Sequence, residues 1–290
     1  MNQNIRHINS LTNPVIKSLR ALHDRKRRKA SGVFLAEGMR IVTEAFDLGW
    51  VAEHLVFLEG REDDAMVRRL INKAQADGAD IIMVSEAVLS KVSRKDNPQM
   101  VLASFSERWA DPEDVFTRPS QAQQEGLNNG GCWLALDRVR DPGNLGTILR
   151  TADATQAAGV VLIGDCCDAY SVEAVRASMG AIFNIPMVQM SEAEFIAYSR
   201  DYTNTDAKGY GGEIIGTALP ASVDYRAANW QAPMILMMGN EQAGLTENLM
   251  ASATQLIRMP MLGRSDSLNL AVATGVALYE YRRHQNGDET

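Results

Sequence analysis

The chain has little of what would mark it as extracellular, membrane-spanning or metal-dependent. Its 290 residues include only three cysteines, Cys132, Cys166 and Cys167. They are too few and too unevenly spaced for a disulfide framework, and they match no zinc-ligand spacing. No apolar run reaches the ~18 residues that a membrane span needs. Met1–Ser10 has no signal-peptide pattern, so a reducing cytoplasm is the expectation. No GxxxxGK(S/T) phosphate loop occurs, which argues against a nucleotide-binding enzyme of that kind. No internal repeat is present. The net charge of −7 argues against indiscriminate nucleic-acid binding, although an average conceals local patches.

One such patch comes early. Lys17–Lys29, KSLRALHDRKRRK, carries seven basic residues against the single acid Asp24. It reads either as a solvated helix face or as a strip that contacts RNA phosphates without reading sequence. Beyond it, Gly32–Gly38 is a short buried strand, and Ile41, Val42, Ala45 and Phe46 form one face of a helix stopped near Gly49. A strand at His54–Leu58, a helix marked by Val67, Leu70, Ile71 and Ala74, and strands at Ile81–Val84 and Val101–Phe105 complete a small α/β module. Residues 109–131 are poor in large apolar side chains and rich in Pro, Gly, Gln and Asn, which predicts a flexible linker. The expected domains are therefore 1–108 and 132–290. The second alternates strands at Trp133–Leu136, Val160–Ile163, Ile185–Val188, Ile214–Thr217 and Pro233–Met238 with helices, one of them after Ser171. A polar, glycine-rich loop at Asp201–Gly212 interrupts the series. That alternation predicts a mostly parallel sheet with helices on both faces.

Three stretches of this second domain carry chemistry. The first, Leu134–Ala154, reads LALDRVRDPGNLGTILRTADA: a strand, a turn broken by Asp141-Pro142-Gly143, then a helix. Asn144 is placed to cap that helix. Leu145, Ile148, Leu149 and Ala152 form its apolar stripe, and Arg150 points away from it. In open α/β sheets, ligands gather at such carboxyl ends of strands. The second stretch follows Met234–Met238 as Gly239-Asn240-Glu241-Gln242-Ala243-Gly244-Leu245, with Thr246 as the next helix cap. A glycine just past a strand admits a close neighbour to the backbone, but the spacing is not GxGxxG. The third, Leu256–Tyr281, begins with a strand at Ile257–Met261, whose edge or end is marked by Pro260. A polar loop then leads to a helix that Ser267 can cap. Ser267–Tyr279 carries no charge, so this helix is expected to be buried against its own sheet or a partner.

In order and spacing, DPGNLGTILRTADA, MGNEQAGL and IRMPMLGRSDSLNLAVATGVALYE resemble motifs one, two and three of the SpoU (TrmH) family of RNA ribose 2′-O-methyltransferases. The resemblance covers most of residues 133–283. SLTNPVIKSLRALHDRKRRKASGVFLAEGMRIVTEA is similar to the family's small RNA-binding substrate domain. This implies an α/β fold of SPOUT type, its C-terminal parallel sheet threaded into a trefoil knot, beside the small N-terminal α/β domain. It also implies S-adenosylmethionine as cofactor, no metal, and a homodimer with active sites near its interface. Gly239, Met259 and Leu268 match cofactor-pocket positions. Asn144, Arg150, Glu241, Ser267 and Asn269 match active-site positions. Lys17, Arg20, Arg25, Lys26, Arg27 and Arg28 would contact RNA. Gln242 departs from the pattern, where many relatives have glycine.

The implied reaction is in-line attack of a ribose 2′-oxygen on the methyl of a sulfonium, which demands alignment and removal of a proton. None of the four histidines, His7, His23, His54 and His284, lies in a motif. An arginine has a pKa above ~12, so Arg150 is expected to stabilise developing alkoxide or grip a phosphate, with the proton acceptor unassigned. Glu241, Ser267 and Asn269 would hold the ribose and orient Arg150. Large-subunit ribosomal RNA is the expected substrate, with no role for DNA or membrane. The alternatives are a tRNA ribose methyltransferase, a non-catalytic ribosome-assembly factor that keeps the fold, and a base methyltransferase of the same knotted superfamily.

Overall fold

The computed structural model describes residues 5–116, 131–203, 212–219, 221 and 223–285. The chain divides into two compact units, residues 1–108 with 168–184, and residues 109–167 with 185–290. The sequence-based division placed 168–184 wholly with the C-terminal part; by contact, that segment clusters with the first unit.

The first unit is built on five strands: β1 Ile5–His7, β2 Val33–Glu37, β3 Ala52–Leu58, β4 Asp80–Val84 and β5 Val101–Ser106. Their order is β1-β4-β3-β5-β2. β1, β4 and β3 run parallel, and β5 lies antiparallel between β3 and β2. The helices are α1 Pro14–Ala21, α2 Arg25–Ser31, α3 Met39–Asp47, α4 Ala65–Ala76 and α5 Glu86–Ser93. α3 buries Ile41, Val42, Ala45 and Phe46, and α4 buries Val67, Leu70, Ile71 and Ala74, as their spacing predicts. Strand alternation sends Leu35, Val56, Ile82 and Leu102 into one core with Ile16 and Leu19 of α1 and Val88, Leu89 and Val92 of α5. On β2, Phe34 points to the other face, where it meets Phe105, Trp50, Tyr170 and Phe183 at centroid distances of 4.5–6.1 Å. Tyr170 and Phe183 come from the 168–184 segment, whose helix is α8, Val172–Ser178. The Trp50 indole N–H donates to the Phe183 carbonyl at 2.8 Å.

The basic strip is two short helices, broken because Asp24 accepts from the Arg27 N–H and caps α2. Lys17, Arg20, Arg25, Lys26 and Arg27 are exposed. Arg28 is not. It is 3 % exposed, its Nε and Nη2 donate to Asp168 at 3.0 and 2.7 Å, and its Nη1 donates to the Leu22 carbonyl. The expected phosphate contact at Arg28 is therefore corrected to a buried ion pair, because a guanidinium without solvent must be paired.

The second unit is a seven-stranded sheet in which every pairing is parallel. Its strands are β6 Cys132–Asp137, β7 Gly159–Ile163, β8 Met187–Met190, β9 Glu213–Thr217, β10 Val223–Asp224, β11 Met234–Met238 and β12 Gln255–Arg258. They lie in the order β10-β12-β9-β11-β6-β7-β8. β8 starts later than expected because Pro186 has no N–H for the ladder. β12 stops before Pro260, in keeping with that residue's marking of a strand end. The helices are α6 Pro112–Phe116, α7 Pro142–Ala154, α9 Glu192–Thr203, α10 Glu247–Ser252 and α11 Leu270–Gln285. Of the expected linker, residues 109–116 belong to this unit: Ala110 N–H donates to the Met187 carbonyl at 2.8 Å, and Val115 is buried in its core. The linker residues 117–130 lie outside the described residues. So do 204–211 of the expected glycine-rich loop, whose first residues end α9.

Successive connections lead away from β6 toward β8 on one side, while β11 and β9 lie on the other. The switch in direction falls between β6 and β11, and there the carboxyl ends of parallel strands open a crevice.

Candidate active site

β6 ends at Asp137, and α7 begins at Pro142. Its cap is Asp141, which accepts from the Asn144 N–H at 2.6 Å. Asn144 itself is the third helical residue, a correction to its expected capping role: Asp followed by Pro is the stronger start signal. The change matters chemically, because the Asn144 carboxamide is left available for other partners. α11 is likewise capped by Asn269 and not by Ser267, with Asn269 Oδ1 accepting from the Ala271 and Val272 N–H groups at 2.9 and 3.3 Å.

Those two caps orient a line of amides. Because Asn269 spends its oxygen on α11, its Nδ2 faces outward and donates to Asn144 Oδ1 at 3.0 Å. Asn144 Nδ2 then donates to Glu241 Oε1 at 3.3 Å. The Glu241 carboxylate also accepts from the Arg140 N–H at 3.3 Å and lies 3.5 Å from Asn240 Nδ2. All three motif loops thus converge on one set of hydrogen bonds, in which the α11 cap fixes the orientation of the Asn269 amide and through it that of Asn144. Arg138, Arg140, Asp141, Asn240, Glu241 and Gln242 line an open cleft of about 430 Å³ beside it. Arg140 reaches across to Asp165 at 2.8 Å, both side chains being exposed.

Two predicted active-site residues do not join this group. Ser267 is exposed and makes no hydrogen bond among the described residues. Arg150 is exposed, and its side chain has no ion pair or hydrogen bond among them. Six residues beyond Asn144, it stands about 9 Å along α7 and roughly 120° around its axis. It neighbours Thr151, whose methyl carbon is 3.7 Å from where a Cβ on Gly275 of α11 would stand. Sequence reasoning missed Asp137, Arg138 and Asn240, which shape the turns; the adjacent Asp-Arg pair at a strand end was the available signal.

The cofactor-pocket residues fall on the same edge of the sheet. Gly239 is buried, and a Cβ there would lie 2.3 Å from the Leu245 N. The close neighbour that this glycine admits is therefore the chain's own Gly244–Leu245 peptide. Met259 is half-buried and Leu268 is exposed, at opposite ends of the loop between β12 and α11. Among the described residues, no backbone N–H from Met259 to Leu268 donates a hydrogen bond. That leaves a run of free peptide donors and acceptors beside apolar side chains, a lining that fits the ring nitrogens, hydroxyls and charged ends of S-adenosylmethionine. Cys132 and Cys166 do not supply a nucleophile: burial pushes the Cys132 thiol up to about 12 and the Cys166 thiol up to about 11.

The fold and site define a class: a parallel α/β domain with a polar site at the switch between its halves, joined in sequence to a small α/β unit bearing exposed basic residues. Residues 131–279 match the SpoU rRNA Methylase family, and residues 13–103 match the MRM3-like substrate binding domain. The chain belongs to the SpoU rRNA methylase family. It is similar to the AdoMet-bound rRNA methyltransferase from Sinorhizobium meliloti, 42 % identical with a TM-score of 0.84, over 98 % of this chain and 99 % of that one. An uncharacterized tRNA/rRNA methyltransferase of Synechocystis sp. is 32 % identical, over 98 % of this chain and 96 % of the relative. The 23S rRNA (guanosine(2553)-2'-O)-methyltransferase RlmP of Bacillus subtilis is 31 % identical, over 96 % of this chain and the whole of the relative.

Proposed function

We propose that this protein transfers the methyl group of S-adenosylmethionine to a ribose 2′-hydroxyl of large-subunit ribosomal RNA. The observation that carries the reading is the Asn269–Asn144–Glu241 line, which joins all three motif loops at the carboxyl edge of the sheet. The cofactor supplies a methyl already activated by its sulfonium. Gly239, Met259 and Leu268 would hold it, largely through backbone groups. The chain's own contribution is alignment: Glu241, Asn144, Ser267 and Asn269 hold the ribose, and Arg150 stabilises oxyanion character on the attacking oxygen. Lys17, Arg20, Arg25, Lys26 and Arg27 grip phosphates in the first unit.

The same proposal includes a cytoplasmic homodimer and the family's trefoil knot. α11 buries Leu270, Ala271, Thr274, Ala277, Leu278 and Tyr281 in its own chain, but leaves Val272, Val276 and Tyr279 at 53, 37 and 60 % exposed. These lie at i, i+4 and i+7, an apolar face that a second copy would cover. Arg150 precedes Thr151, which lies against Gly275 of α11, and in such a dimer Arg150 would reach the other copy's site. No helix of the described residues is long and apolar enough to cross a membrane.

Mapping of 2′-O-methyl sites in 23S rRNA and tRNA, from cells with and without the protein, tests this reading. One rRNA site should be lost with the protein. Loss from tRNA alone moves the substrate to tRNA. Unchanged maps from both would overturn the assignment.

A further inference from the structure

Arg138, the first residue after β6, has a left-handed backbone with φ of 49°. Non-glycine residues enter that region rarely, and when one persists the surroundings hold it there. Neighbouring side chains on a strand point to opposite faces. The turn at Arg138 instead folds its guanidinium back onto Asp137, the last residue of the strand. Nε and Nη2 donate to the two carboxylate oxygens at 2.8 Å each. Asp137 is 1 % exposed, so this fork satisfies a buried charge in planar, two-point geometry.

The same residue then grips the neighbouring turn at both ends. The Arg138 carbonyl accepts from Asn240 Nδ2 at 2.8 Å, and Arg138 Nη2 donates to the Gly244 carbonyl at 3.3 Å. Between these anchors the turn closes on itself. Asn240 Oδ1 accepts from the Gln242 and Ala243 N–H groups at 3.0 Å, and Asn240 and Gly244 exchange backbone hydrogen bonds of 3.1 and 3.0 Å. Glu241 is the residue carried by this closed turn, and its carboxylate reaches Asn144.

We infer that Asp137 and Arg138 form a positioning pair, which sets the Asn240–Gly244 turn and through it aims Glu241 at Asn144. Neither residue reaches the reacting atoms; Arg138 acts through Glu241, and this inference rests on the methyl-transfer reading of that site. Arginine is required at 138 because a lysine ammonium can hold Asp137 but cannot reproduce the fork and reach Gly244 together.

The test uses the full chain, an unmodified 23S rRNA transcript and methyl-labelled S-adenosylmethionine. Arg138→Ala alone strands a buried carboxylate, so the pair is neutralised as Asp137→Asn with Arg138→Gln; Arg138→Lys serves as a second variant that keeps the charge pair. Both should speed amide hydrogen exchange at Gln242–Gly244 while leaving β11 protected. Both should lower the single-turnover rate by about 10- to 100-fold, the scale of a small misplacement of reacting groups. Combined with Glu241→Gln, they should add little to the loss that Glu241→Gln causes alone, because all act through one carboxylate. Losses that multiply with Glu241→Gln overturn the inference, since they would place Arg138 outside the Glu241 path. Unchanged exchange in the turn, or a wild-type rate in Arg138→Lys, overturns it as well. Absence of methyl transfer in the unaltered chain would instead refute the proposed function, and the exchange measurement would still judge the pair.

Discussion

Arg28 lies within the most basic stretch in the chain, yet it is fastened inside the first unit. Its side chain is 4 % exposed, and that of its partner Asp168 is 16 % exposed. Arg28→Ala removes both hydrogen bonds to Asp168 and the one to Leu22. Among the described residues, it leaves a mostly buried carboxylate with only the Tyr170 N–H, at 2.9 Å. Breaking a buried pair costs about 3–5 kcal/mol, and the residual exposure of Asp168 argues for the lower end, ~3 kcal/mol. For a body of this size, that corresponds to a fall of about 10 °C in Tm. Neutralising both partners as Arg28→Met with Asp168→Asn should recover most of the loss, because no uncompensated charge remains and the substituted carboxamide can still accept from the Tyr170 N–H. The assays are thermal melting of the full chain by circular dichroism, and RNA affinity measured against salt. Lys26→Ala and Arg27→Ala should do the reverse: an unchanged Tm, and a salt dependence of RNA binding that flattens as phosphate contacts are lost. An Arg28→Ala protein that melts within about 2 °C (~0.6 kcal/mol) of wild type and binds RNA more weakly would refute this account.

Arg150→Ala should change stability by less than ~0.5 kcal/mol. It should retain S-adenosylmethionine binding by calorimetry and lose roughly 100-fold in single-turnover methylation. Arg150→Lys should not fully rescue it, because an ammonium lacks the planar fork; a near-normal rate in the alanine variant would sink the assignment. Glutamate at Val276 or Tyr279 should convert a dimer to monomers in light scattering, since each puts charge into the apolar face of α11. A wild-type protein that is monomeric at micromolar concentration contradicts the dimer outright. Burial holds the His23 imidazole below its usual pKa of 6.5, outweighing the bond of 2.7 Å from its ring nitrogen to the Val92 carbonyl. A depressed folded pKa means that His23 supports stability above about pH 6.5, and that this support is lost as pH falls toward the folded value. Urea midpoints between pH 7 and 5 should therefore fall less for His23→Gln than for wild type.

Local pattern was enough for much of this molecule. The apolar faces of α3 and α4 follow from spacing within single helices, and most strands from short apolar runs, because both depend on near neighbours. The three motif turns were legible for the same reason: each is a strand, a breaker and a helix start written in consecutive residues. Even so, the caps went to Asp141 and Asn269, and with them the direction in which the Asn144 and Asn269 amides point.

What tertiary structure alone decided lies far apart in sequence. Arg28 meets Asp168 across 140 residues, and Trp50 meets the Phe183 carbonyl across 133. No window around Arg28 distinguishes it from Lys26 or Arg27, which are exposed. Likewise, nothing near Tyr170 or Phe183 says that their rings fill the core of the first unit. Amphipathic spacing states which side of an element is apolar. Which distant surface covers that side is settled only when the chain closes on itself, where a buried charge finds its partner and an aromatic ring its packing.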